Sequence, residues 1–137
     1  MRFMILVKGN ADSEAGARPS EEMFNTMATY HEELAKAGVL VDAAGLQPTS
    51  NAIRIRYSGG RRTVIDGPFT ESKELVAGYT LIETDTKEEA MQWARRFPAP
   101  MEGGEGEIEV RQLFALEDFG ESEAIERFRA LEAAQKK

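Results

Sequence analysis

Five consecutive apolar residues, Phe3-Met4-Ile5-Leu6-Val7, constrain this chain more than any other stretch. A β-strand points successive side chains to opposite faces, so a run that is apolar throughout has to be buried on both. Such a strand belongs inside a sheet, with apolar cover above and below. The run is too short for a membrane span or a signal-peptide core, so a cytoplasmic protein is expected.

The rest of the chain says what cover there is. Residues 9–19 have no apolar period and read as a loop. A helix is expected from Ser20, an N-cap residue followed by Glu21 and Glu22, up to Gly38. Met23, Met27, Tyr30, His31 and Leu34 fall on its apolar side. A second strand begins at Val39 and reaches Leu46, and residues 47–51 form a turn. Ile53, Ile55 and Tyr57 alternate with Arg54 and Arg56, the pattern of a half-buried strand. Ser58-Gly59-Gly60 is a hairpin signal, and residues 61–65 return. Residues 76–84 read as the next strand, with Gly78 marking a bulge or a close backbone approach. Thr86 and Glu89 cap a second helix whose apolar side is Ala90, Met91, Trp93, Ala94 and Phe97. Residues 107–116 read as the last core strand, with Phe114 and Leu116 on its apolar face. Residues 121–134 form a tail helix with a thin stripe of Ile125, Phe128 and Leu131.

The order strand, helix, strand, hairpin, strand, helix, strand is the α+β, ferredoxin-like βαββαβ plan, with an added hairpin and a C-terminal helix. Both core helices cover one face of an antiparallel sheet, and none is left for the other. A second copy of the sheet, packed face to face, is the simplest cover, so a homodimer is expected. The tail helix is the rival.

Asp66-Gly67-Pro68-Phe69 interrupts the pattern. Asp66 and Gly67 stop a strand, and Pro68 removes a donor, so one carboxylate is held at a rigid strand end beside a polar loop. DGPFTESKE, a strand and then EEAMQWARRFP resemble the DGPF branch of the YCII-related proteins. The similarity takes in MRFMILVK, EELAKAGVL, GLQP at 45–48 and EIEVRQLF. It implies a YCII-related domain over residues 1–119 that forms a dimeric α+β barrel of ferredoxin-like units. Residues 120–137 are then a helical tail. Some of these proteins are thought to use a His–Asp pair on small molecules. The family histidine usually lies about one turn earlier, near Met27, on the face that His31 shares. DGPF proteins are often associated with extracytoplasmic-function sigma factors, which makes such a factor a candidate partner.

Charge narrows the partners. The formal net charge is −7, which disfavours nucleic acid and anionic membrane surfaces, both gripped by Lys and Arg. With no cysteine and one histidine, thiolate chemistry and a multi-histidine metal site are excluded; no metal and no cofactor are expected.

His31 and Asp66 are the candidate catalytic residues. Either they exchange protons as an acid/base pair, or His31 is a hydrogen-bonded core residue and Asp66 a solvated turn carboxylate. Arg54 and Arg56, with Arg61 and Arg62, could clamp an anionic ligand or pair across strands. Glu71 and Lys73 belong to the family string and are candidates for ligand contact over a pocket between sheet and helices. Two functions fit: a small-ligand site with cofactor-free isomerase, lyase or hydrolase-like chemistry, or a non-catalytic binding or regulatory module.

Overall fold

The strand that opens the chain lies inside a sheet, as its double apolar face requires. The structure, a computed structural model, describes residues 1–70 and 74–135. In chain order its elements are β1 (Arg2–Lys8), α1 (Ala11–Glu14), α2 (Glu21–Lys36), β2 (Leu40–Gly45), β3 (Ile53–Ser58), β4 (Arg61–Asp66), β5 (Val76–Glu83), α3 (Lys87–Arg95), β6 (Ile108–Gln112) and α4 (Glu123–Gln135). Two antiparallel sheets result: a four-stranded one in the order β2-β5-β1-β6, and β3 with β4 alone. The fold is mixed α+β.

Helix ends follow local chemistry. Ser20 Oγ accepts the Met23 amide at 3.2 Å, and Gly38, just past the last turn of α2, takes a φ of 74°. Thr86 Oγ1 accepts the Glu89 amide at 3.1 Å and starts α3. The segment read as a loop holds a correction. Asn10 and Ser13 form a reciprocal capping box, and α1 stands on it.

Register decides which face each residue uses. Phe3 lies beside Ile82, and Ile5 beside Thr80 and Val110. This face meets Tyr30 and Leu34 of α2 and Ala90 and Ala94 of α3, and Phe3, Ile5, Leu34 and Ile82 are shut off from solvent. Each such side chain contributes about 1.5–3 kcal/mol by leaving water. The opposite face carries Met4 beside Leu81 and Leu6 beside Tyr79. All four are only half-buried. Neither α2 nor α3 covers them, and α4 buries no residue of its own.

Two strand expectations change. The β3–β4 hairpin is not half-buried: Ile53, Ile55, Tyr57 and Val64 are 45–66% exposed. It forms its own two-stranded sheet, so the alternation produces an apolar face that its own chain leaves open. The last core strand ends at Gln112, opposite Phe3 near the start of β1. Phe114 therefore leaves the sheet and is 77% exposed, and Leu116 begins a 3-10 turn, Leu116–Phe119.

Candidate functional site

His31 sits in the second half of α2, facing β5. Its Nδ1 lies 2.7 Å from the Met27 carbonyl and its Nε2 2.8 Å from Thr80 Oγ1. A carbonyl only accepts, so Nδ1 carries a proton; in the neutral ring Nε2 then accepts from the Thr80 hydroxyl. A hydroxyl on an imidazole oriented by a third group has the connectivity of an activated nucleophile. Thr80, however, is 2% exposed, so no substrate atom reaches its oxygen in the chain as it stands. The arrangement ties α2 to β5. Rings complete the setting: Tyr30 and Phe97 stand edge-on to His31, with centroids 5.5 and 6.3 Å away.

Tyr30 is the perturbed acid here. Burial pushes its hydroxyl up to about 12, against Arg96, which lowers it, and with Glu33, which raises it further. The hydroxyl donates to the Trp93 carbonyl at 2.7 Å. Between about pH 10 and 12 the folded chain keeps this proton while the unfolded chain loses it. Stability is therefore full below about pH 10 and falls as pH rises toward 12. Urea titrations across that window should show the fall in the wild type and a flatter profile in Tyr30→Phe; equal slopes would refute the assignment.

Asp66 lies elsewhere. It ends β4, is exposed, and makes no side-chain hydrogen bond with any described residue. The turn after it is held by the segment before β3. The Gly67 amide donates to Ala52 O at 2.9 Å, and the Phe69 amide to Thr49 Oγ1 at 3.0 Å. Glu14 of α1 holds Thr49 in turn, accepting from both its amide and its hydroxyl. The Gly67–Pro68 peptide is cis. Gly67 is there for closeness: an added Cβ would stand 1.7 Å from Thr49 O. The turn lies between β4 and β5 in the chain. Thr80, the partner of His31, lies four residues along β5 from Val76, about 13 Å at strand rise. Within one chain no hydrogen bond or ion pair joins His31 to Asp66.

Arg54, Arg56 and Arg61 share one face of the hairpin, while Arg62 and Asp66 lie on the other with Ile55 and Val64. The Arg54 guanidinium stands 3.7 Å over the Phe69 ring, and Arg62 5.4 Å from that of Tyr57. Glu71 and Lys73 lie outside the described residues. Among the described residues no three His, Asp or Glu side chains converge as on a metal ion, and no helix is long and apolar enough to cross a membrane.

An open groove of about 420 Å³ runs between the first half of α2 and the segment after α3. Met23, Met27 and Met101 line it, with Ser20, Thr26 and Glu22 at the polar positions. Glu102 accepts the Ser20 amide at 2.9 Å and fixes the segment against the helix. Met27 links the groove to His31, whose ring is held by its carbonyl.

A family model for the YCII-related domain matches residues 1–117. The chain belongs to the YCII-related family. This YCII-related chain is 34% identical over 93 residues to Uncharacterized protein R00369 of Rhizobium meliloti (strain 1021), across 68% of this chain and 74% of that protein. Among solved structures it is similar to 5-chloro-2-hydroxyhydroquinone dehydrochlorinase (TftG) from Burkholderia phenoliruptrix AC1100, in complex with 2,5-dihydroxybenzoquinone. The TM-score is 0.45 at 14% identity, over 83% of this chain and 94% of that one. A likeness of that size carries no inference about chemistry.

Glu14, Thr49 and Thr80 shape both places in this YCII-related chain, and sequence reasoning passed over them. The Asn10–Ser13 capping box was the available signal for Glu14, because it makes the helix that carries it. Thr80 could have been placed on the helix-facing side of β5 by alternation from Ile82.

Proposed function

We propose that this YCII-related chain is a small-ligand-binding protein that works as a two-chain assembly and not as an acid–base catalyst. The observation that carries the reading is the state of its single histidine. Both ring nitrogens are engaged inside the chain, by Met27 and by a Thr80 shut off from solvent. A general base needs a nitrogen within reach of the substrate proton. The ligand is a small polar molecule, held in the groove beside α2. Methionines adapt to its apolar parts, and Glu22, Thr26 and Ser20 take its donors. The assembly is a dimeric α+β barrel of two ferredoxin-like units. Met4, Leu6, Tyr79 and Leu81 lie at the centre of the join, which supplies the cover that one chain lacks. On that face Tyr79 donates to Asp42 Oδ2 at 2.9 Å, a bond that raises the tyrosine's pKa.

One NMR sample, labelled at the methionine methyls and the histidine ring, tests the reading. A mixture of small polar amides and acids should shift Met23, Met27 and Met101 and leave Met4 in place. The His31 titration should superimpose in the wild type and in Asp66→Asn. A titration curve that moves with Asp66 would restore the proton-transferring pair, and shifts confined to other methionines would empty the groove of its role.

A further inference from the structure

The groove beside α2 is apolar at its floor and acidic at its rim. Met23 and Met27, one turn apart on α2, line it together with Pro98 and Met101, and all four are half-buried. Its volume, about 420 Å³, falls within the range of about 300–1,000 Å³ usual for small-molecule sites.

The rim carries charge of one sign. Glu22 and Glu102 are exposed, and neither wall, residues 20–27 or 98–104, holds a lysine, arginine or histidine. Among the described residues no ion pair takes up either carboxylate. Glu102 spends one oxygen on the Ser20 amide at 2.9 Å, and its second has no protein donor among them. Thr26 gives its hydroxyl proton to the Glu22 carbonyl at 3.0 Å, so towards a ligand it accepts. The start of a helix carries about half a positive charge, which the two carboxylates outweigh. Glu21 adds a third carboxylate to the same turn.

We propose that the ligand of this groove is an organic cation, a primary ammonium group on a short apolar body. An ammonium only donates, so it suits Glu22 and Glu102, and methionine side chains adapt to the shape of the apolar part. An anionic ligand would meet two like charges there, and a neutral one would gain nothing from them. The inference rests on the reading of the groove as the ligand site and adds the charge of the ligand.

Three probes of matched length that differ in head group test it: n-hexylammonium chloride, 1-hexanol and sodium hexanoate. Each is titrated at low salt and neutral pH into protein labelled at the methionine methyls. Hexylammonium should shift Met23, Met27 and Met101 saturably and leave Met4 and Met91 in place. It should bind about fivefold or more tighter than hexanol, the upper worth of one exposed charge pair, and hexanoate should bind more weakly than either. The preference for the amine should shrink as salt rises from about 50 to about 500 mM. It should vanish in Glu22→Gln with Glu102→Gln, a change that keeps an acceptor for the Ser20 amide. It should persist in Glu123→Gln with Glu132→Gln, which removes the same charge from exposed sites on α4. A preference that survives the groove pair, or falls equally in the α4 pair, would belong to the net charge of −7 and overturn the proposal. Hexanol or hexanoate binding as tightly as the amine would overturn the cation and leave the groove as a binding site. If none of the three moves the groove methyls, the groove is not the site, and the proposed function falls with the inference.

Discussion

Gly67→Ala is expected to remove about 3 kcal/mol of stability, the upper range for overpacking, although only one methyl group is added. The Cβ would stand 1.7 Å from Thr49 O and 3.3 Å from Ala52 O, which are backbone atoms with no rotamer to yield. Thr49 cannot retreat cheaply. Its amide and hydroxyl are held by Glu14, and its hydroxyl oxygen accepts the Phe69 amide. Gly67 is absent from the glycines with positive φ, so the cost comes from steric approach and not from a left-handed backbone. Gly45→Ala is the matched control. Nothing lies within 4 Å of its added Cβ, and a strand alanine there should be neutral or slightly stabilising. Urea denaturation of the two variants should separate them by most of the predicted difference. Equal midpoints would show that the turn has room to relax.

Met4→Glu is expected to turn the proposed sheet-face dimer into monomers. Met4 lies on the half-buried sheet face, between Leu81 of β5 and Arg111 of β6. In the single chain the new carboxylate would face the Arg111 guanidinium, so the fold should survive. In the proposed barrel, two-fold symmetry would place that carboxylate in the join twice. Taking a charge out of water costs several kcal/mol even after relaxation, so the dissociation constant should rise at least about a hundredfold. Phe24→Glu, at an exposed site on α2, should leave association unchanged. Sedimentation equilibrium with a circular dichroism check reads both, and a Met4→Glu protein that still dimerises at wild-type affinity would remove the sheet face from the interface.

What was legible in the sequence acts over short distances. Ser20 and Thr86 bond amides three residues on, so both core helices could be started correctly. Phe3–Val7 carries its own requirement for cover, and it sits inside the sheet. What was missed depends on distant partners. Alternation at Ile53, Ile55 and Tyr57 makes a strand, but whether that face finds cover depends on surfaces outside the segment. Phe114 and Leu116 continue the apolar period of β6, yet β1 offers no partner beyond Arg2, whose carbonyl takes the Leu113 amide. The glycine of the turn was legible as special. Its reason was not, because the crowding atom belongs to Thr49. Likewise His31 reads as an apolar-stripe residue, and only the packing of α2 on β5 shows that Thr80 occupies its outer nitrogen.

The interior place of β1 also sets a schedule for synthesis. Phe3 pairs with Ile82 on one side and Gln112 on the other, so β1 leaves the ribosome well before either partner and waits for both. Until β5 emerges, its apolar residues have no sheet to join, and until β6 emerges one of its edges stays unpaired. Pairings this far apart in sequence make folding slower than in a helical bundle of the same size. A nascent chain stalled before Ile108 would carry the most apolar strand of the protein with one edge open, the kind of exposed segment that chaperones bind.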